Sequence, residues 1–189
     1  MRNGTRTKKR IDRTALKLFA EKGVRETTIR DIATAAGVAE GTLYRHYASK
    51  EELASDLFVE NFTALGRELA KIQEQEANTR TKLLAIIRYF CAAYDKDATM
   101  INYLFITRHG YMQKLTARMP NPYLVFRRVI RDGMARGDIP KQDPDVAASM
   151  VLGIILQVID TRILGRRIRQ RISDLADTLT AACLRVLNA

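Results

Sequence analysis

Apolar residues recur at three- and four-residue intervals along most of the chain, which is the pattern of amphipathic helices. Near the N-terminus this spacing joins Ile11, Ala15 and Phe19, and Gly23 is a typical helix stop. No segment alternates apolar and polar residues between turn signals as a half-buried strand does. The pattern predicts an all-α fold.

Capping signals predict where several of these helices begin. Thr27 and Thr28 are both candidates for the N-cap of a short helix that ends at Gly37, and Asp31 is a possible capping-box partner three residues after Thr28. A second short helix is predicted over 40–47, and Ser49 is predicted to cap a long helix over 50–75. Further helices are predicted at 79–95, 98–110, 121–136, 143–165 and 172–188.

Charge is concentrated in the first part of the chain. The net charge is +11, and residues 1–50 hold 12 Lys/Arg against 5 Asp/Glu, whereas residues 51–189 hold 20 against 16. A basic tail is predicted over 2–10. This asymmetry favours a phosphate-binding module, although a solvated basic surface has the same composition.

Cysteine and histidine positions argue against metal and disulfide chemistry. Cys91 and Cys183 lie far apart, and the two histidines, His46 and His109, form no ligand cluster with them. We find no nucleophile elbow, Gly-rich phosphate loop or carboxylate pair. The sequence therefore predicts no catalytic site, no metal and no cofactor.

Targeting signals are not apparent in the sequence. The N-terminus is polar and basic without a following apolar stretch, which argues against a signal peptide. The longest apolar run, 146–159, is too short to span a bilayer, and we interpret it as a buried helix. We expect a cytoplasmic protein without a membrane partner. Five arginines between the last two helices read as a solvated loop, namely Arg162, Arg166, Arg167, Arg169 and Arg171.

The stretch from Thr27 to Lys50 has the organisation of a helix-turn-helix. Two short helices meet at Gly37, where glycine permits the positive φ of a tight turn. In this motif the second helix enters the major groove of DNA, so the helix starting near Glu40 is the predicted reader. Its outward side chains can donate to phosphates or base edges, whereas Leu43 and Tyr47 face the core.

The segments TTIRDIA and GVAEGTLYRHYASKEEL resemble the DNA-binding region of the TetR/AcrR-type family of bacterial transcriptional regulators. The matching residues are Thr28, Ile32, Ala33, Gly37, Val38, Gly41, Leu43, Tyr44, His46, Lys50 and Leu53. Ala39 departs from the family by replacing a frequent Ser, which removes a probable N-cap. Tyr47 replaces a common Phe.

This resemblance implies an N-terminal three-helix DNA-binding domain over 1–50 and a C-terminal helical bundle for dimerisation and ligand binding over 51–189. The predicted DNA-binding residues are Thr28, Arg30, Glu40, Gly41, Thr42, Tyr44, Arg45, His46 and Lys50. Glu40 can accept from cytosine or instead stabilise the helix N-terminus. For Tyr44 and His46 the alternative is packing within the small domain.

The last two helices are the predicted dimer interface. The segment 146–159 is apolar on nearly every side, and such a helix needs cover on every side. Family members dimerise through these two helices, and the predicted interface residues are Val151, Ile155, Ile159, Leu175, Leu179 and Val186. The alternative is that both helices only complete a monomer's core.

Aromatic residues and methionines between 86 and 126 indicate a hydrophobic effector pocket. The predicted lining residues are Phe90, Tyr103, His109, Phe126 and Gln157, and plain core packing is the alternative. The sequence thus predicts a homodimeric regulator, a repressor by family resemblance, that binds a palindromic double-stranded operator and is released by a small effector. The alternatives are a nonspecific DNA-binding protein and a ligand-binding bundle without regulatory DNA binding.

Overall fold

A computed structural model describes residues 2–116, 118–165 and 168–189, with only the backbone described at residues 2 and 3. Every regular element in these ranges is helical. The α-helices are α1 (Arg2–Lys22), α2 (Ile29–Ala36), α3 (Glu40–Tyr44), α4 (Lys50–Glu74), α5 (Thr79–Lys96), α6 (Ala98–Tyr111), α7 (Pro122–Arg136), α8 (Pro144–Ile163) and α9 (Ala176–Leu187). Short 3-10 turns occupy Met112–Lys114 and Ile172–Leu175. The predicted all-α fold is confirmed.

The sequence predicted the bounds of α4 to α8 within two residues, and three other bounds differ. The predicted basic tail over 2–10 is wrong, because α1 already begins at Arg2. Lys8 pairs with Asp12 at 3.0 Å one turn later, and such pairs stabilise a helix. The final helix is preceded by a separate 3-10 turn at Ile172–Leu175.

The predicted reader helix is shorter than expected and ends at Tyr44 instead of Tyr47. Its N-cap, Ala39, makes no side-chain cap hydrogen bond. At the other end, the N–H groups of His46 and Tyr47 both donate to the carbonyl of Leu43, at 2.9 and 3.1 Å. These two bonds tighten the chain into a turn before α4.

The other predicted caps are present in the structure. The N–H of Asp31 donates to the Thr28 hydroxyl at 3.0 Å, and the Asp31 carboxylate accepts from the Thr28 N–H at 2.9 Å. The N–H of Glu52 donates to Ser49 Oγ at 3.0 Å. These bonds satisfy N–H groups that a helix start leaves without intrahelical partners.

Residue packing divides the chain into two compact units that differ from the predicted domains. The first comprises Met1–Asn61 and Thr99–Thr116, and the second comprises Phe62–Ala98 and Ala117–Ala189. The continuous helix α4 therefore contributes to both units. The predicted functional boundary after residue 50 concerns DNA binding and stays a prediction.

In the first unit, α6 packs on α1 and α4. The Tyr103 ring of α6 is fully buried and stacks on Phe19 of α1, with 6.0 Å between ring centroids. Its hydroxyl donates to the carbonyl of Ala54 in α4 at 2.5 Å. These contacts place the middle of α6 in the same unit as the helix-turn-helix.

In the second unit, two glycines allow close approach of neighbouring elements. A Cβ at Gly66 of α4 would lie 2.4 Å from the Cα of Asn121, and one at Gly133 of α7 would lie 2.2 Å from Thr79 Oγ1. The core of this unit is formed by fully or almost fully buried side chains of α5, α7, α8 and α9. These include Leu83, Ile86, Ile87, Phe90, Phe126, Val129, Ile130, Val151, Ile155, Ile159 and Cys183.

Candidate nucleic-acid interface

The turn between α2 and α3 sets the crossing of the two helices. Gly37 adopts the left-handed conformation predicted for it, with φ 63° and ψ 43°. Its N–H donates to the Thr34 carbonyl at 3.1 Å, and the next N–H, that of Val38, donates to Ala33 at 3.0 Å. The buried small side chains Ala33 and Ala36 let the helices approach closely.

Helix α3 presents one face to the core and the other to solvent. Leu43 is fully buried and Tyr47 is 3% exposed, as predicted for the inward positions. Tyr44 is 54% exposed, so the alternative of a packed Tyr44 does not describe the structure. The other predicted DNA-binding residues here are exposed (Glu40, Gly41, Arg45) or half-buried (Thr42, His46).

Three predicted residues flank α3 on the neighbouring helices. Thr28 is exposed, but its hydroxyl oxygen already caps α2. Arg30 is exposed on the first turn of α2. Lys50, half-buried at the start of α4, donates from Nζ to the Arg25 carbonyl at 3.1 Å. Lys50 is therefore anchored beside the helix-turn-helix.

A polar cluster that the sequence reasoning missed ties α1 to the segment following α3. The Tyr47 hydroxyl donates to Asp12 Oδ1 at 2.6 Å and accepts from Lys8 Nζ at 2.5 Å. Lys8 also lies over the Tyr47 ring, 4.9 Å from its centroid. The i, i+4 spacing of Lys8 and Asp12 was the available signal, but nothing in the sequence pairs them with Tyr47.

The cluster and the cap perturb the protonation of their groups. Burial and the hydrogen bond to Asp12 raise the pKa of Tyr47. Burial alone would lower the pKa of Lys8, but its bonds to Tyr47 and Asp12 outweigh that effect and raise it. Hydrogen bonds from Thr28 hold the pKa of Asp31 below its ordinary value. At neutral pH Lys8 is therefore an ammonium and Tyr47 a neutral phenol.

This arrangement suits binding to a nucleic-acid duplex. An exposed aromatic residue and donors project from α3, and cationic side chains flank it on α2 and α4. On α1, Arg6, Lys9 and Arg10 are also exposed. Exposed cations neutralise phosphates, whereas side chains on a helix within the groove read base edges.

The structure distributes the five predicted pocket residues over both units. Tyr103 belongs to the first unit, where it is a core residue bonded to Ala54, and His109 of the same helix is exposed. Phe90 and Phe126 are buried in the second unit, and Gln157 is exposed on α8. Burial of the three aromatic residues matches the alternative of core packing, and a shared pocket stays a prediction.

Most predicted dimer residues face the interior of their own protomer, which corrects that part of the prediction. Val151, Ile155 and Ile159 of α8 are at most 1% exposed, and Leu179 of α9 is 5% exposed. Leu175 is half-buried, and only Val186 is exposed, at 36%. Helix α8 is apolar on two faces, and the residues predicted for the dimer interface lie on the inward one.

The opposite face of α8 is exposed and largely apolar. Val146 is 55% and Met150 is 42% exposed, and Gly153 and Gln157 continue the same stripe one and two turns later. Helix α8 is long and apolar enough to cross a membrane, which for a single helix is weak evidence of a span. In its most apolar 18-residue segment, 28% of the residues are buried.

Two further observations concern chemistry beyond nucleic-acid binding. Within residues 2–116, 118–165 and 168–189 no group of three or more His, Cys, Asp or Glu side chains could hold a metal ion. Of the arginine cluster, Arg166 and Arg167 lie outside the described residues, while Arg162 Nη1 donates to the carbonyl of Ile168 at 3.0 Å.

Comparison with known proteins identifies the family of the helix-turn-helix. Residues 11–57 match the family model described as bacterial regulatory proteins, tetR family. The HTH-type transcriptional repressor KstR2 of Rhodococcus jostii is 29% identical over 134 residues, which span 66% of this chain and 66% of that protein. The fatty acid metabolism regulator protein of Bacillus subtilis is 23% identical over 156 residues, 80% of each chain.

A solved structure shows the same fold over nearly the whole chain. The transcriptional regulator FadR from Bacillus subtilis, in complex with stearoyl-CoA, superposes with a TM-score of 0.75 at 19% identity. The match covers 92% of this chain and 96% of that one. The helix-turn-helix segment therefore matches the tetR family of bacterial regulatory proteins, and the whole chain has the all-helical fold of a solved transcriptional regulator.

Proposed function

We propose that this protein is a sequence-specific DNA-binding transcriptional regulator, and by its relatives a repressor. The observation that carries the proposal is the outward face of α3, where Tyr44 is 54% exposed beside exposed Arg45 and Arg30. A large aromatic side chain exposed between cations has no packing role, but it suits contact with bases and phosphates. Lys50 at the start of α4 adds a phosphate contact near a helix N-terminus.

The active species in this proposal is a homodimer formed through the exposed face of α8. Val146, Met150, Gly153 and Gln157 lie at i, i+4, i+7 and i+11, which is one side of the helix. Val186 of α9 is the predicted interface residue that is exposed and can join this surface. A two-fold dimer presents two reader helices, which requires a palindromic operator with half-sites about 34–36 Å apart.

Regulation in this proposal comes from a small hydrophobic effector. Helix α6 is a suitable element to respond, because Tyr103 contacts both Phe19 and Ala54 within the DNA-binding unit. A ligand that prefers one arrangement of α6 would therefore shift the population of DNA-competent protein. The stearoyl-CoA of the Bacillus subtilis neighbour supports an effector with an apolar chain.

A gel-shift titration tests the proposal directly. The purified protein is titrated on the DNA upstream of its own gene at about 150 mM salt with excess random competitor. We expect a discrete complex that survives the competitor and is lost in Tyr44→Ala. Smeared binding without discrimination, on this DNA and on fragments selected from the genome, would instead identify a nonspecific DNA-binding protein.

A further inference from the structure

Two polar atoms of α6 are buried without a hydrogen-bond partner in the described part of the chain. They are Nη1 of the Arg108 guanidinium and Oδ1 of the Asn102 amide. Leaving a buried donor or acceptor unsatisfied costs about 1–3 kcal/mol, and more for a charged group. Native structures usually provide such atoms with water, an ion or a ligand.

The two atoms belong to one ridge of α6. Asn102, Phe105 and Arg108 follow each other at three-residue spacing, and the ridge is about 9 Å long at 1.5 Å per residue. The Arg108 guanidinium lies over the Phe105 ring, 5.1 Å from its centroid. Its Nε makes a long contact of 3.4 Å to His109 Nε2. The guanidinium is thus oriented, but its Nη1 is unused.

Apolar side chains beside this ridge remain exposed. Ile106, four residues after Asn102 on α6, is 48% exposed, and Met112, in the 3-10 turn that follows α6, is 40% exposed. Phe105 is half-buried between the two polar residues. The ridge therefore combines a cationic donor with an acceptor nearer the start of α6, and apolar side chains precede and follow Arg108.

We propose that this ridge of α6 binds an anionic amphiphile, with the anionic group held by Arg108 and the apolar body lying on Phe105, Ile106 and Met112. Guanidinium groups match carboxylates and phosphates because their N–H donors can pair with two oxygens. The inference rests on the proposed function, since it names the chemical class of the effector.

Calorimetric titration of the full chain with decanoate, decyl phosphate and decanol tests the inference. The three probes share an apolar chain and differ in charge. Wild-type protein is expected to bind an anionic probe at least about tenfold more tightly than decanol, a difference typical of charge-assisted pairing. Arg108→Met should abolish this preference, and Arg108→Gln should repeat the result with a neutral polar group. Arg67→Met, at an exposed position of α4, should retain it.

Melting temperatures separate a binding role for Arg108 from a structural one. Without ligand, Arg108→Met should melt at the same temperature as wild type or higher, because it removes an unsatisfied buried donor. Equal affinity for decanol and the anions, no binding of either anion, or a preference that survives in both Arg108 variants would overturn the inference.

A parallel gel shift distinguishes failure of this inference from failure of the proposed function. Sequence-specific DNA binding, together with anion binding that ignores Arg108, refutes the effector site alone. Arg108-dependent binding of an anionic probe by a protein that discriminates no DNA sequence refutes the regulator and supports the site.

Discussion

Replacing Tyr47 with Phe removes one hydroxyl from the cluster that joins α1 to the segment after α3. The hydroxyl is held between Asp12 Oδ1 at 2.6 Å and Lys8 Nζ at 2.5 Å, and the residue is 3% exposed. Phe keeps the ring and its packing, so the substitution isolates the hydrogen bonds. We expect a loss of stability without a change of fold.

The expected loss follows from the surroundings of Asp12. A hydrogen bond to a charged group contributes about 1.5–3 kcal/mol to stability. Asp12 is 19% exposed and keeps Lys8 at 3.0 Å, so part of the loss is compensated by the ion pair and by water. We therefore expect Tyr47→Phe to lower the free energy of unfolding by about 1.5 kcal/mol, the lower end of that range.

Urea denaturation followed by circular dichroism measures this loss at a fixed protein concentration, because a dimer's stability depends on concentration. The matched control is Tyr44→Phe, which removes the same hydroxyl from a side chain that is 54% exposed. The control should change the free energy of unfolding by less than about 0.5 kcal/mol, as surface substitutions usually do. Equal effects of the two substitutions, or none at Tyr47, would refute the assigned role of the cluster.

Three further predictions concern the second unit. Met150→Glu puts a charge on the exposed face of α8, and light scattering should then report the 21.4 kDa of one chain instead of a dimer. Gly66→Ala should destabilise the protein by at least about 1–3 kcal/mol, because its Cβ would lie 2.4 Å from the Asn121 backbone. Burial alone would raise the pKa of Asp95, but hydrogen bonds from the backbone of the Ile172–Leu175 turn outweigh this effect and hold the pKa below its ordinary value. The stability that Asp95 contributes is therefore complete above that value and lost as the pH falls through the lowered pKa, so Asp95→Asn should unfold with a weaker acid dependence.

Matched substitutions control two of these experiments. Tyr89→Glu charges an exposed large hydrophobic position elsewhere, on α5, and should leave the dimer intact. Gly110→Ala adds a Cβ with no atom within 4 Å and should not destabilise the chain. A stable dimer of Met150→Glu, wild-type stability of Gly66→Ala, or an unchanged acid profile of Asp95→Asn would contradict the respective interpretation.

Local chemistry explains why much of the helix-turn-helix was predictable from sequence. The cap at Thr28 and the left-handed turn at Gly37 depend on residues within a few positions of each other. The early end of α3 was missed because the N–H groups of His46 and Tyr47 share the carbonyl of Leu43. Residue helix propensities do not predict such a shared hydrogen bond. The Tyr47 cluster was missed because its partners lie 35 and 39 residues away.

The second unit shows a different limit of sequence reasoning. Periodicity correctly located α8, but an apolar helix with two apolar faces does not reveal which face lies inside its own protomer. The inward face holds Val151, Ile155 and Ile159, whereas the outward one carries Met150.

In the first unit, the spacing of apolar residues in α6 does not indicate that Tyr103 packs with α1, because that contact joins positions 84 residues apart.

The central claim is sequence-specific recognition through α3, and a ratio of two affinities tests it most directly. Fluorescence anisotropy at about 150 mM salt compares a fragment selected from the genome with a scrambled duplex of the same length and composition. A regulator should bind the selected fragment about 10³-fold or more tightly, and Tyr44→Ala should reduce that ratio. Equal affinities for the two duplexes, falling together with rising salt, would show binding by charge alone and contradict the account.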